Sequence, residues 1–572
     1  MKKNITLRIL LVLCGITVNA QQYARTYQTS QFLEYSKPAT ISIAPMQSGE
    51  VINVDGVLED GFENTDVLIS KIGTNGEVIW KRRYGTPGKT ESANSVSVFA
   101  QDNYALIVGQ IEVGFFNSQF GHLLKDFDVL MLLIDTQNGD IVWSKSFGEP
   151  KSIDRAWSIK KITEDGIHSK FIVLGEAADY GSNDASQRTM AFSMNGNGTI
   201  YWKKRYVETS PWDNTGDVPN DAVFDDDGNL ILIGNFNDEF ETAGLFTLGV
   251  NPVNGNITNL YKRFGHFSTI SHMGAITAVE DGFLVTYASY DLIRDLVEET
   301  FQFAVLTKLN ENREPVWSKR YSAQEGMLAY YGASIYKRNS ITNTNYDILL
   351  GSWNNHTASP ILMTVDDNGN IIKSQRQNYE QQVVFGTYPT TMVPAMDNNK
   401  YILKGISSFR LFYQRGYTLS SVIANGNLIC ANNLEMKSGN VENNLVFSPE
   451  RISTDFGEVT HQSLSEFLID INEINCDQNK IANGNHSRLS AYPNPIPTDK
   501  EFLNVEYTAL NSGKATITIK SINGIVSSTQ ENYVKNGINV LKLKAEVFNF
   551  GLNFLVVSHE NGDQRVIKII KE

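Results

Sequence analysis

The stretch Asp128-Val-Leu-Met-Leu-Leu-Ile-Asp-Thr-Gln-Asn-Gly139-Asp-Ile-Val-Trp143-Ser-Lys-Ser-Phe147-Gly148 decides how the chain is read. It holds a β-rich run, a polar turn ending in Asn-Gly, a second β-rich run carrying Trp, and then basic and aromatic residues. Asn-Gly suits a tight hairpin because both central residues tolerate positive φ. The same phrase stands at Asp66-Val-Leu-Ile-Ser-Lys-Ile-Gly-Thr-Asn-Gly-Glu-Val-Ile-Trp80-Lys-Arg-Arg-Tyr84-Gly85. Further copies contain Asn197-Gly198 with Trp202 and Tyr206, Asn254-Gly255 with Leu260 and Phe264, Trp317 with Tyr321, Asn368-Gly369 with Lys373, and Asn425-Gly426 with Cys430. The Trp-equivalent positions are 80, 143, 202, 260, 317, 373 and 430, in steps of 56 to 63 residues. So even a period marks a repeat architecture.

Each unit reads as four strands. In the second unit, Asn94–Phe99 is strand a, Tyr104–Gly109 strand b, Asp128–Ile134 strand c and Asp140–Phe147 strand d. Four antiparallel strands per repeat of this length predict an all-β chain folded as a β-propeller; a helical repeat needs an apolar period near 3.6, and none is present. Tyr23-Ala-Arg-Thr-Tyr27 resembles the end of a strand d, and Phe467-Leu-Ile-Asp-Ile-Asn472 resembles a strand c. Together they predict a closing blade in which residues 22–27 complete a unit built from about 440–475. That makes eight blades the favoured number, with seven as the alternative. The strand-d tryptophans are expected to pack between neighbouring sheets.

In such a ring the a–b and c–d turns are short and share one face. The b–c and d–a loops lie on the other face and vary most, and function collects on loops held by a rigid scaffold. The candidate ligand-binding residues there are Phe115, Phe116, Trp212, Asp213, His266, His272 and Tyr413, a set suited to stacking on a glycan or gripping a protein. The repeat resembles two families. One is the Trp-containing repeat of quinoprotein dehydrogenases, a likeness confined to the c–d hairpin. The other, a set of exported bacterial propeller repeats, fits better. The chain lacks the adjacent cysteine pair of the quinoproteins, so their cofactor is not carried over.

Residues 477–489 are polar and read as a linker. The last 83 residues contain short alternating strands and turns at Asn523-Gly524, Asn536-Gly537 and Asn561-Gly562, the pattern of a small immunoglobulin-like β-sandwich. Residues 490–572 resemble the type A sorting domain of type IX secretion cargo. The features that carry the resemblance are Tyr492-Pro493-Asn494-Pro495, the strand leading to Gly524, Gly537 followed by Gly551, and the basic end from Lys568 to Lys571. Two departures are Phe554, where the family usually has Tyr, and the extra Glu572. The resemblance implies an address to an outer-membrane translocon as partner.

The N-terminus agrees. Lys2, Lys3 and Arg8 precede or enter a short apolar run, and Val18-Asn19-Ala20 offers a small-residue cleavage site, as in a secretory leader. The expected organisation is a signal peptide over 1–20, a propeller over 21–476, a linker over 477–489 and the sorting domain over 490–572, with delivery through the periplasm to the outer-membrane surface or beyond. No later run is apolar for eighteen residues, so no transmembrane segment is expected. Loss of the leader takes the net charge from −14 to −17. The excess of acid sits in the body and argues against nucleic acid as a partner.

Cys430 and Cys476 remain after leader removal and form a candidate disulfide, with two free thiols the alternative. Dedicated metal sites are not expected, because the eight histidines are scattered and no cysteines stand at ligand spacing. No cofactor is expected. Asp225-Asp226-Asp227-Gly228 and Asp366-Asp367-Asn368-Gly369 offer at most weak calcium binding, and read first as hairpin turns. Gly85-Thr-Pro-Gly88-Lys89-Thr90 lacks the first glycine and the helix of a phosphate loop. No Gly-x-Ser-x-Gly elbow occurs. The expected function is therefore non-catalytic binding or adhesion to a glycan or protein. A polysaccharide hydrolase or lyase with its site at the propeller mouth is the alternative.

Overall fold

The computed structural model describes residues 24–29, 42–58, 64–117, 122–179, 187–208, 216–237, 243–264, 274–291, 301–323, 328–338, 344–354, 357–377, 384–394, 400–409 and 415–423. It also describes the short strands between 431 and 475, and 489–571 apart from 493–495, 498–499, 510, 522–525 and 561–563. The chain divides into two compact units, 1–476 and 477–572.

In the first unit the described strands form seven antiparallel four-stranded blades. Blade 1 contains Ile43–Pro45, Val51–Leu58, Thr65–Ile72 and Val78–Gly85 as strands a to d. Blade 2 contains Glu91–Phe99, Tyr104–Asn117, Leu123–Asp135 and Ile141–Gly148. Blade 3 starts at Ser152–Thr163 and ends at Ile200–Glu208; blade 4 starts at Gly216–Phe224 and ends at Ile257–Phe264. Blade 5 runs from Gly274–Val279 to Pro315–Ala323, and blade 6 from Leu328–Arg338 to Ile371–Gln377. The innermost strands touch in order round the ring, and strand a of blade 7, Val384–Pro394, touches that of blade 1. The ring is closed.

Alternation along the strands explains why the blades stack. Successive side chains point to opposite faces of a sheet. In strand b of blade 2, Ala105 and Ile107 pack with Ile52, Val54, Val67 and Ile69 of blade 1. Their neighbours Leu106 and Val108 pack with Phe171, Val173 and Phe192 of blade 3. Both faces are buried, so strands b and c are apolar without a polar alternation. Each fully buried Leu or Val contributes about 1.5–3 kcal/mol.

Strand d fastens blades 1, 2, 3 and 5 to the blade that follows. Trp80 Nε1 donates to the Thr136 carbonyl at 3.0 Å, Trp143 to Gly196 at 3.0 Å, and Trp202 to Pro252 at 2.9 Å. The hydroxyls of Tyr206 and Tyr321 donate to the carbonyls of Gly255 and Gly369 at 2.9 and 2.7 Å. Every acceptor lies in the c–d turn of the following blade, so the recurring Trp and Tyr are joints between blades. Blade 2 has Phe147 at the Tyr position, and there Lys145 Nζ reaches the carbonyls of Asn197 and Gly198 at 3.0 and 3.3 Å instead. Gly255 serves two demands at once: its φ is +73°, and a Cβ on it would stand 2.4 Å from the Trp202 ring.

Blade 7 corrects the expectation of eight. Its strands a to c are Val384–Pro394, Lys400–Phe409 and Arg415–Ile423. The fourth is Ala24–Thr29 from the N-terminus, paired in register from Ala24 with Ser420 to Gln28 with Gly416. An N-terminal strand does close the ring, but on 384–423. The outer edge of strand c is thus taken by the N-terminal strand. Residues 424–430 lie outside the described residues.

The segment 431–475 is not a blade. It winds round the perimeter and adds a fifth, outermost antiparallel strand to every blade in turn. Ala431–Asn433 pairs on blade 6, Met436–Asn440 on blade 5, Leu445–Phe447 on blade 4 and Arg451–Thr454 on blade 3. Glu458–His461 follows on blade 2, Ser465–Phe467 on blade 1, and Ile471–Asn475 beside the N-terminal strand on blade 7. This belt covers outer edges that would otherwise present unpaired N–H and C=O groups.

The joint between blades 7 and 1 also holds a buried ion pair. Lys404 Nζ lies 2.7 Å from Asp55 Oδ1 and donates to the Val54 carbonyl at 2.7 Å. Burial pushes the Asp55 carboxyl up and the Lys404 ammonium down from their ordinary ranges, and each partner's charge opposes that shift in the other.

The second unit has a three-stranded sheet, Leu489–Tyr492, Phe502–Ala509 and Gly537–Lys544, and a four-stranded sheet ordered Val526–Val534, Gly513–Ser521, Gly551–His559 and Gln564–Lys571. Leu503, Val505, Ile517, Ile519, Leu555 and Val557 lie in one core fed by both sheets, making it a sandwich.

Candidate functional site

Strands b and c of blade 2 are the longest in the described propeller, at 14 and 13 residues. Their pairing continues from Tyr104 opposite Asp135 to Asn117 opposite Leu123. The outer part is a hairpin arm on the face of the b–c loops. Phe115 is 60% exposed and Leu123 68% exposed, whereas Phe116 is buried. A register shift between Glu112 and Gly114 bends the arm at its base. Lys125 braces it: Nζ pairs with Glu112 Oε2 at 2.8 Å and donates to Thr90 Oγ1 at 2.7 Å and Asn64 Oδ1 at 3.2 Å.

Beneath this face lie buried acids. Glu91 Oε1 accepts from the Thr86 amide at 3.1 Å, and Asp154 Oδ2 from the Glu149 amide at 2.8 Å. Asp217 accepts from the Tyr261 hydroxyl at 3.1 Å. Burial pushes Glu91 up to about 8 and Asp154 up to about 8. Asp128, which accepts from Ser146 Oγ at 2.8 Å, is pushed up to about 6 by burial. Asp128 and Asp217 bond to side chains of strand d, while Glu91 and Asp154 fold back on the d–a loops and hold them. Asp126 does the same on the surface, accepting from the amides of Lys151 and Ser152 at 3.0 and 3.1 Å. The Gly85–Thr90 segment is one of these loops, a turn closed by the Lys89 amide donating to the Thr86 carbonyl at 3.0 Å.

Of the candidate ligand residues, Phe115 and Phe116 sit together on the arm, one outward and one inward. Trp212, Asp213, His266, His272 and Tyr413 lie outside the described residues. The buried acids Glu91, Asp154 and Asp217 were not singled out from the sequence. Their signal is positional: they are spaced 63 residues apart, each three places before the strand-a bulge. The acidic turns bond to themselves. Asp225 accepts from the amide and side chain of Asn229, and Asp366 from those of Asn370. Among the described residues, no group of three His, Cys, Asp or Glu is placed to hold a metal ion. Cys430 and Cys476 lie outside the described residues.

In the second unit, Tyr492 ends the first strand, and Pro493, Asn494, Pro495 and Gly524 lie outside the described residues. Ile496 resumes by donating its amide to the Ile570 carbonyl at 2.7 Å and bridging to Lys571. Lys571 Nζ donates to the carbonyls of Ala545 and Phe548, each at 3.0 Å, and lies over the Phe550 ring. Lys568 is exposed. Gly537 and Gly551 have φ of +99° and +84°. The segment after the Pro-Asn-Pro motif and the basic C-terminal strand are therefore one assembly.

These features define a closed propeller of seven belted blades joined to a β-sandwich. No family model and no curated protein matches the chain. Solved structures are similar in fold. The full extracellular region of plexin A4 is 7% identical, with a TM-score of 0.36, over 95% of this chain and 67% of that one. Drosophila Plexin A in complex with Semaphorin 1b is 9% identical at a TM-score of 0.34, over 70% and 88% of the two chains. The WD40 domain of SCAP from fission yeast is 9% identical at 0.31, over 74% and 90%. The likeness is one of fold alone. No helix among the described residues is long and apolar enough to cross a membrane.

Proposed function

We propose that this chain is an exported binding protein, and that the blade 2 arm is its contact surface. The observation that carries this is Phe115 and Leu123 standing exposed on a hairpin braced at its base. Rigid exposed aromatics make good contacts because little side-chain freedom is lost on binding. The buried acids nearby support binding over turnover, since Glu91 and Asp154 are committed to loop amides and closed to solvent. The leader-like N-terminus and the features shared with type IX sorting domains support delivery through the outer membrane. The partner is a glycan or a surface protein.

The test is a glycan array and a panel of surface-protein extracts, each probed with the full chain and with Phe115→Ser/Leu123→Ser. Binding should fall at least about tenfold, the effect of losing about 1.4 kcal/mol at a contact. Unchanged binding by the variant removes the arm from the reading. Polysaccharide turnover abolished by Asp154→Asn in a folded protein replaces binding with the hydrolase or lyase alternative. Export is tested separately, by fractionating cells that carry the chain with and without residues 490–572.

A further inference from the structure

The belt advances by six to eight residues from blade to blade. Take in each blade the strand-d position that Tyr84 holds in blade 1. The belt puts Ala431 opposite it on blade 6, Val459 on blade 2, Glu466 on blade 1 and Glu473 on blade 7. From Ala431 to Glu473 the belt makes six blade-to-blade steps in 42 residues, an average of seven residues per blade. Blades 6 and 7 are neighbours, joined by the Ala358–Gly386 bridge. One more step from Glu473 would therefore return the belt to the place that Ala431 already holds. The belt goes once round the propeller and arrives at its own beginning.

The residues flanking it are both cysteine. Cys430 directly precedes Ala431, and Cys476 directly follows Asn475. In the belt's register three residue steps separate them, about 10 Å at full extension. A disulfide needs about 4.4–6.8 Å between Cα atoms. The belt's strands end at Ala431 and Asn475, so no strand pairing has to break for the remaining few ångström to close.

We propose that Cys430 and Cys476 form a disulfide that buckles the belt and turns residues 430–476 into a covalent hoop round all seven blades. The inference rests on the export reading, because the bond persists in an oxidising compartment. Formation proceeds by exchange with a small disulfide such as glutathione disulfide. One cysteine thiolate attacks it and expels a glutathione thiolate. The second cysteine thiolate then attacks the mixed disulfide and expels the other. The two cysteines lose two protons and two electrons, and the glutathione disulfide leaves as two thiols. The hoop keeps the belt on the edges it covers after local opening, or after a cut in one of its links.

Trypsin reads this directly. It cuts after Arg415, Lys437, Arg451 and Lys480, so the two cysteines fall in separate peptides, 416–437 and 452–480. The native chain from Gln21 is equilibrated in glutathione/glutathione disulfide buffer, alkylated and digested without reductant. The expected result is one linked species that separates into both peptides on reduction, from an intact monomer lighter by two hydrogen atoms. C430S and C476S should each leave the other cysteine alkylated. Reductant should lower the thermal midpoint of the wild type and leave that of C430S unchanged. Alkylated thiols in both wild-type peptides, or linkage only between two copies, overturns the proposal. Should C430S fail to fold, the wild-type map alone decides. A defined redox buffer makes bond formation independent of where the chain is produced, so loss of the buckle and loss of the export reading are told apart.

Discussion

At the scale of single residues, the molecule depends on polar groups buried at the joints between blades. Lys404 and Asp55 are the extreme case, a pair shut away from water where the last blade meets the first. Removing one partner leaves the other charge buried alone, whereas removing both restores an apolar contact. Lys404→Met should therefore cost about 3–5 kcal/mol, and Lys404→Met/Asp55→Leu markedly less, as measured by denaturant unfolding. A double variant as unstable as the single one would show that the pair is not the closing bond of the ring. Asp154 gives a pH dependence of definite sign. Folded, it keeps its proton up to about 8, far above the ordinary aspartate value of 3.8. Between those values the unfolded state binds fewer protons than the folded one, so stability falls as pH rises through the window. An ion-paired acid does the opposite. Wild type should lose more stability between pH 5 and pH 8 than Asp154→Asn, read from denaturant midpoints; parallel losses would reject the assignment.

At the scale of elements, strand d and the belt divide the work. Strand d is legible in the sequence because its Trp and Tyr recur with the blades, and those side chains are what join blade to blade. The belt is not legible in the same way. Its strands are three to five residues long, too short to carry a period-two pattern. Edge pairing uses backbone groups, which every residue type supplies. Residues 440–475 consequently read as an eighth blade, when Ser465–Phe467 and Ile471–Asn475 in fact lie on blades 1 and 7. A chain ending at residue 423 lacks the belt and uncovers the outer edges of the blades. It should self-associate, seen as concentration-dependent oligomers in sedimentation velocity, where the full chain stays monomeric. A monomeric truncated chain would mean that the edges are protected by some other device.

At the scale of the whole molecule, the ring and the sandwich have separate cores. Among the described residues, the sandwich core runs from Leu489 to Ile569. Units with independent cores unfold independently. Calorimetry of the full chain should show two transitions, with the one belonging to 477–572 reproduced by that fragment alone. A single transition, or a fragment that does not fold, would contradict this.

The sequence by itself determined the all-β class, the repeat length, the hairpin carrying Trp, and the use of an N-terminal strand to close the ring. These follow from local pattern: alternation, turn residues and a period that recurs. The tertiary structure decided the number of blades, the belt, the exposure of Phe115 against the burial of Phe116, and the anchoring of loops by Glu91 and Asp154. Each depends on which distant backbone edge or carboxyl meets which neighbour. In a closed ring that is settled by the space left between blades, a quantity that no single repeat contains.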